Sequence, residues 1–313
     1  MNKKLLDFII CPGCLPDEFP LALSQAESAG DEVLEGVLRC GHCGEAYPIK
    51  AGIADIARAD REEQAGACAR YEQPDLLSAY LWSHYADLSN DDQSTDAYTQ
   101  WGQLLEITDG VGLDTGCATG RFSFEMARKC EFVIGIDMSR RFISTAREIL
   151  KNRQHTFQLR EEGRIFSERS FHLPESWDAR KMDFLVADAH ALPFRSGSFS
   201  CVASLNLVDK IRLPLKHLLE TSRAARGGKA QLLISDPFSW SEDASSPKDW
   251  LGGKPDGEFR GPALDNIARL LSDSAARIYP SWNIAGSGAV WWKIRNHTNH
   301  YELIRSLYIK AER

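Results

Sequence analysis

Residues 111–121, Val-Gly-Leu-Asp-Thr-Gly-Cys-Ala-Thr-Gly-Arg, and residues 133–137, Val-Ile-Gly-Ile-Asp, decide the fold. An apolar run ends in Asp114. A turn carrying Gly116 and Gly120 follows, then a helix-period stretch through Phe122, Phe124, Met126 and Ala127, then a second apolar run ending in Asp137. The order is strand, glycine turn, helix, strand, with a carboxylate at the C-terminal end of each strand. Open parallel sheets bind ligands at that edge. Glycine lacks a Cβ, so the backbone at 116 and 120 can turn sharply and come close to a ligand.

The alternation of strand and helix continues downstream. Residues 139–151 read as the helix after Asp137, and residues 152–182 as a polar, irregular insert. A third strand runs from Met182 to Asp188 and ends in the turn Ala189-His190. A fourth spans 198–206, a fifth 231–237, and residues 277–292 and 301–311 supply closing strands. The predicted class is α/β, with a Rossmann-like, mostly parallel seven-stranded sheet.

The glycine spacing separates this turn from the dinucleotide fingerprint, because Gly-x-x-x-Gly is not Gly-x-Gly-x-x-Gly. The stretch Leu113 to Gly120 resembles motif I of the class I S-adenosylmethionine (SAM) methyltransferases, with Ala118 where a second glycine often lies. The resemblance implies SAM as cofactor. It places Asp114, Gly116, Cys117, Ala118 and Gly120 in the turn, Asp137 and Met138 at the ribose, and Asp188 with the N–H of Ala189 at the adenine edge. Asn206 falls at the cleft after strand four. His190 reads either as a catalytic base or as a surface turn residue.

A narrower likeness covers residues 205–210, Leu-Asn-Leu-Val-Asp-Lys, and residues 235–253, which include Ser-Asp-Pro-Phe-Ser-Trp and Trp-Leu-Gly-Gly. Both patches resemble the mercaptohistidine N-methyltransferase module of ovothiol-synthesis enzymes, with Lys210 in place of that module's Arg and Asp236 extra. At the acceptor side, Asn206 is expected to orient substrate, and Asp209 to pair with an amine or help deprotonate it. Helix capping is the structural alternative for both. Asp236, Trp240 and Trp250 lie in a loop that either closes over a small zwitterion or simply packs. Trp292 and Arg295 either add a contact for a carboxylate or belong to a strand with exposed basic ends.

Cys11-Pro-Gly-Cys14 and Cys40-Gly-His-Cys43 are two knuckles separated by 25 residues. Four thiolates at this spacing suit one tetrahedral Zn²⁺, and His42 reads as a knuckle residue rather than a ligand. Together with Tyr47-Pro-Ile and Gly52-Ile53, residues 5–57 resemble a Trm112-type zinc ribbon. The implied division is a ribbon at 1–57, a helical linker and lid segment at 58–107, and a methyltransferase domain at 108–313. Residues 58–70 read as a helical linker. The aromatic residues at 71–107 (Tyr71, Tyr80, Trp82, Tyr85, Tyr98 and Trp101) read either as a lid over the cleft or as packing.

The 313 residues carry a formal charge of −7 and 43% apolar residues. That balance excludes bulk electrostatic attraction to nucleic acid or anionic membrane. No signal peptide and no membrane span is read, so a cytoplasmic location is expected. The leading expectation is a SAM-dependent methyltransferase of a small polar metabolite, possessing one structural zinc. Two alternatives stay open: a methyltransferase of RNA or a translation-related protein, and a non-catalytic scaffold with the SAM fold.

Overall fold

Five strands with almost wholly buried residues make the centre of the molecule: β5 (Val111–Thr115), β6 (Phe132–Asp137), β9 (Met182–Val186), β10 (Phe199–Leu205) and β11 (Gln231–Asp236). Unbroken burial of this kind belongs to parallel strands covered on both faces. In the computed structural model, which describes residues 1–57, 70–273 and 277–313, they pair in parallel in the order β11-β10-β5-β6-β9. The expected linker at 58–70 lies, but for its last residue, outside the described residues. Two long strands, β12 (Asn283–His297) and β13 (His300–Glu312), complete the sheet. β13 is antiparallel to both β11 and β12, so the sheet has seven strands with one reversed.

The helices α1 (Pro74–Tyr85), α2 (Ala97–Gln103), α3 (Arg121–Met126), α4 (Arg140–Asn152), α5 (Pro214–Ala224) and α6 (Ala263–Ser272) follow the same logic. In α4, Phe142, Ile143, Ala146 and Ile149 are buried at helical spacing. The Ser139 hydroxyl caps α4 by accepting the Phe142 N–H at 3.1 Å. No helix among the described residues is long and apolar enough to cross a membrane.

The insert at 152–182 is not irregular. It holds an antiparallel hairpin, β7 (Gln154–Glu162) and β8 (Ile165–His172). His155, Phe157 and Leu159 turn inward while Gln154, Thr156 and Gln158 stay exposed. That period of two is the signature of a half-buried strand. Leu159 and Phe157 pack on Trp82 of α1.

The N-terminal residues form an antiparallel sheet, β1 (Leu21–Ala29), β2 (Glu32–Cys40), β3 (Ala46–Lys50) and β4 (Ile53–Ala54). Backbone bonds tie it to the large sheet: Ile56 N–H to Val186 O at 2.8 Å, Ile10 N–H to Pro193 O at 2.9 Å, and Arg195 N–H to Phe8 O at 3.0 Å. One apolar core runs from Met1, Leu5 and Ile9 into Ile134, Leu185 and Phe194.

Candidate functional site

The C-terminal ends of β5, β6, β9 and β10 meet at a cavity of about 310 Å³. Asp114, Gly116, Cys117 and Ala118 line it from the first strand, Asp137 and Met138 from the second, Asp188 and Ala189 from the third, and Asn206 from the fourth. Gly120 stands outside the wall. It holds φ +85° at the start of α3, where a Cβ would come 2.6 Å from Phe184 Cζ, so its missing side chain serves packing.

The Asp137 carboxylate accepts the Ala118 N–H at 3.0 Å and the Ser139 N–H at 2.8 Å. Each oxygen has two lone pairs, so both can still receive a hydroxyl. Burial pushes Asp137 up to about 6. Asp114 accepts the Ser123 hydroxyl at 2.6 Å. Burial, reinforced by the charge of Asp137, pushes it up to about 7.

Two imidazoles hold the turn at Asp188 and Ala189. His190 is buried, which corrects the surface reading; its Nδ1 lies 2.7 Å from Asp188 Oδ1. Its Nε2 accepts the Leu213 N–H at 3.2 Å, which puts the proton on Nδ1 and leaves no lone pair for base catalysis. His217 Nδ1 donates to Ala189 O at 3.2 Å and its Nε2 accepts the Ser204 hydroxyl at 2.9 Å. Burial lowers His217 to about 4, so it stays neutral.

Aromatic rings close the rest of the wall: Tyr71, Tyr80, Tyr98, Phe142 and Trp292. The Tyr80 ring lies 5.1 Å from Phe142 and 6.2 Å from Trp292. Rings of this kind suit a sulfonium charge. Both readings of the aromatic segment hold, residue by residue: Tyr71, Tyr80 and Tyr98 line the cleft, whereas Trp82, Tyr85 and Trp101 are packing residues. Helix α1 is fastened to the glycine turn through Thr119, whose hydroxyl lies 2.9 Å from His84 Nδ1 and whose carbonyl accepts the Tyr85 hydroxyl at 2.7 Å. Burial, then the Arg121 charge, holds His84 near 3 and therefore neutral.

Asn206 adopts φ +53°, donates its N–H to Ser235 O at 2.6 Å and accepts the Ser306 hydroxyl on Oδ1 at 2.5 Å. Asp209 and Asp236 do not reach the cavity. The turn at Val208–Lys210 carries Asp209 back toward the β11 loop, where it accepts the Ser239 N–H at 2.6 Å, and its own N–H donates to Asp236 at 3.3 Å. Both are fully buried, and burial with the adjacent Asp209 charge drives Asp236 well above the usual carboxylate range. Trp240 and Trp250 stack on each other at 6.0 Å away from the cavity wall. Arg295 is occupied by Glu161 at 3.2 Å and Thr298 at 2.8 Å. Of Asp236, Trp240, Trp250, Trp292 and Arg295, expected at the substrate, Trp292 alone lines the cavity, as Asn206 does after the fourth strand. The sequence reading missed Lys210, Ile211, Arg212, Asp243 and Ala244 in the wall. Lys210 was within the quoted patch, but nothing in the spacing shows which of two adjacent side chains faces inward.

The residues fit SAM: carboxylates at the two strand ends where ribose and adenine are expected, and a cradle at Gly116 where a Cβ would press to 3.0 Å against Leu207. The four knuckle thiols also fit their ion. Their sulfurs lie within 4.8 Å of one another, with Cys11 to Cys43 at 3.6 Å and Cys14 to Cys40 at 3.8 Å. Sulfurs about 2.3 Å from a tetrahedral zinc stand about 3.8 Å apart, so the set is compatible with one structural Zn²⁺. Tyr47 Oη lies 3.4 Å from Cys11 Sγ, where its hydroxyl can donate to the sulfur and hold it in place. His42 is exposed and stacks on Phe19 at 4.0 Å.

Residues 113–231 match the family described as a methyltransferase domain, and residues 2–52 match that of Trm112p-like proteins. No curated protein matches the chain. Similar solved structures include a SAM-dependent methyltransferase from Methanosarcina mazei, with 18% identity over 70% of this chain and 99% of that one at TM-score 0.44. Another is a SAM-dependent methyltransferase from Aquifex aeolicus, with 13% identity over 76% and 97% at TM-score 0.44. A third comes from the complex of the Haloferax volcanii Trm112 methyltransferase activator with a methyltransferase, with 12% identity over 75% and 96% at TM-score 0.44.

Proposed function

We propose that the acceptor of this SAM-dependent methyltransferase, whose residues 113–231 match a methyltransferase domain and residues 2–52 a Trm112-like one, is a small polar metabolite of the amino-acid or thiol-imidazole type. The observation that carries this reading is the lining of the cavity: beyond the residues proposed for SAM, its wall is completed by Tyr80, Trp292, Asp243 and Ala244, a short stretch that suits a small acceptor. The likeness of residues 205–210 and 235–253 to an imidazole-directed module supports it, as does the acidic charge balance.

SAM supplies a methyl group already activated on a sulfonium, which an acceptor lone pair takes by in-line displacement. In this reading Asp137 receives the ribose hydroxyls, and Asp188 with the Ala189 N–H meets the adenine edge. Asn206 orients the acceptor. The aromatic wall excludes water and faces the cationic sulfur. Asp209 acts as a brace between the β10 and β11 loops rather than as a base. Neither cavity imidazole serves as a base: burial holds His84 near 3, too weak to take a proton at neutral pH, and His190 has both nitrogens engaged. In this reading the acceptor atom arrives with its lone pair free.

The division at 1–57, 58–107 and 108–313 is part of the proposal, as is a cytoplasmic location, on the reducing conditions that thiolate ligands favour. The test is calorimetry with SAM, followed by tritiated methyl transfer to separated metabolite, RNA and protein fractions. Label in the metabolite fraction is expected. Label in RNA or protein overturns the acceptor class, and absence of SAM binding returns the chain to a scaffold role.

A further inference from the structure

We propose that the acceptor carries an anionic group, seated between Lys210 and Arg212, and that these two residues determine which acceptor is methylated. The proposal rests on the small-metabolite reading above and adds the charge that the metabolite must present.

The cavity changes sign along its length. Its cofactor end is bordered by Asp114, Asp137 and Asp188, whereas beyond Asn206 the wall carries Lys210 and Arg212. The Arg212 guanidinium is exposed and has no protein partner among the described residues; its backbone carbonyl is held by the Ser245 hydroxyl at 2.9 Å. Lys210 Nζ lies 3.2 Å from Asp209 Oδ2, an oxygen that also accepts the Ser239 N–H at 2.6 Å, and the lysine side chain is still 40% exposed. Its charge is therefore anchored rather than extinguished.

Two cations at one end of a cavity call for an acceptor-only group, which is a carboxylate or a phosphate. A protein of net charge −7 repels such a ligand in bulk, so local cations must supply the attraction. Arg295, one of the two residues that the sequence offered for this task, is committed to Glu161 and Thr298. Asp243 borders the same end and offers the opposite charge, so an acceptor with an ammonium beside its anion matches the wall on both counts.

The experiment uses the full chain saturated with S-adenosylhomocysteine and titrated calorimetrically with matched pairs. L-Histidine and L-tyrosine are compared with histamine and tyramine, which lack the carboxylate; phosphoethanolamine is compared with ethanolamine, which lacks the phosphate. At least one anion is expected to bind about tenfold or more tighter than its neutralised counterpart, as charged hydrogen bonds require. The carboxylate and phosphate arms identify which anion it is. Lys210→Met and Arg212→Gln should each remove most of that difference while S-adenosylhomocysteine affinity stays within about twofold. Equal binding of the members of every pair, binding of no anion in either arm, or unchanged anion affinity in both charge variants overturns the proposal. Retained S-adenosylhomocysteine binding in those outcomes leaves the methyltransferase reading standing, whereas methyl label in RNA sinks the small-metabolite premise itself.

Discussion

Asp137 is the side chain on which the cofactor end turns. Replacing it with Ala removes the acceptor that fixes Ala118 and Ser139 and the one proposed for the ribose diol, so SAM affinity should fall about tenfold to a hundredfold by calorimetry. Its proton matters as well. With Asp137 pushed up to about 6 and Asp114 to about 7, the folded empty protein binds protons that the unfolded chain, with carboxyl groups near 4, releases. Stability from these two groups is thus present at low pH and lost as pH rises from about 4 to 7. Asp114→Asn should flatten that slope in thermal melts at pH 5 and pH 8. SAM affinity should run the opposite way, falling below about pH 6 because the ribose hydroxyls need an ionised acceptor. Ala118 sits at φ +47°, a strained angle for any residue with a Cβ. Ala118→Gly should raise stability by up to about 1 kcal/mol, read as a higher melting temperature. These aspartates were legible in the sequence because each closes an apolar run at a strand end. Asp209 and Arg212 were not, because a short turn after a strand sets side-chain direction by backbone angles that residue spacing does not encode.

At the scale of elements, α1 is seated on the glycine turn by side-chain hydrogen bonds to Thr119. Thr119 takes a hydrogen bond from Tyr85 and meets His84, while Arg121 at the head of α3 pairs with Asp87 just past α1 at 3.0 Å and with Glu125 at 2.7 Å. Tyr85→Phe deletes one buried bond and should cost about 1 kcal/mol. Hydrogen exchange should then show faster opening of α1 than of β5 or β6. Unchanged protection of α1 would show that apolar packing alone seats it. The seven strands were legible one by one, since the five central ones are apolar runs of strand length, but their order in the sheet was not. The β7–β8 hairpin was not, because its inward residues, His155, Phe157 and Leu159, alternate with polar ones in a segment whose overall composition is that of a loop. The separated partners Trp82 and Tyr301 supply the packing that selects the strand.

For the whole molecule, the ribbon and the large sheet share one core, from Leu5 and Ile9 to Leu185 and Phe194. Metal binding in small thiolate sites supplies folding free energy. Chelation should therefore lower the melting temperature of the entire protein in a single transition, followed by calorimetry alongside metal analysis that finds about one zinc per chain. Two separate transitions, with the later one unmoved, would reject the shared core. The knuckles and their ion were plain from cysteine spacing. The shared core was not, because contacts such as that between Ile10 and Pro193 join segments far apart in the chain whose pairing leaves no local pattern.

The bond from Ile56 to Val186 has a practical consequence for anyone handling this protein. It occupies the outer margin of β9, and an unoccupied strand margin is a template for sticking to other chains. A shortened version begun near residue 70 would bare that row of amides together with greasy surface around Leu185 and Phe194. Such a fragment should come out of expression as oligomers or inclusion bodies, with the full chain remaining dispersed.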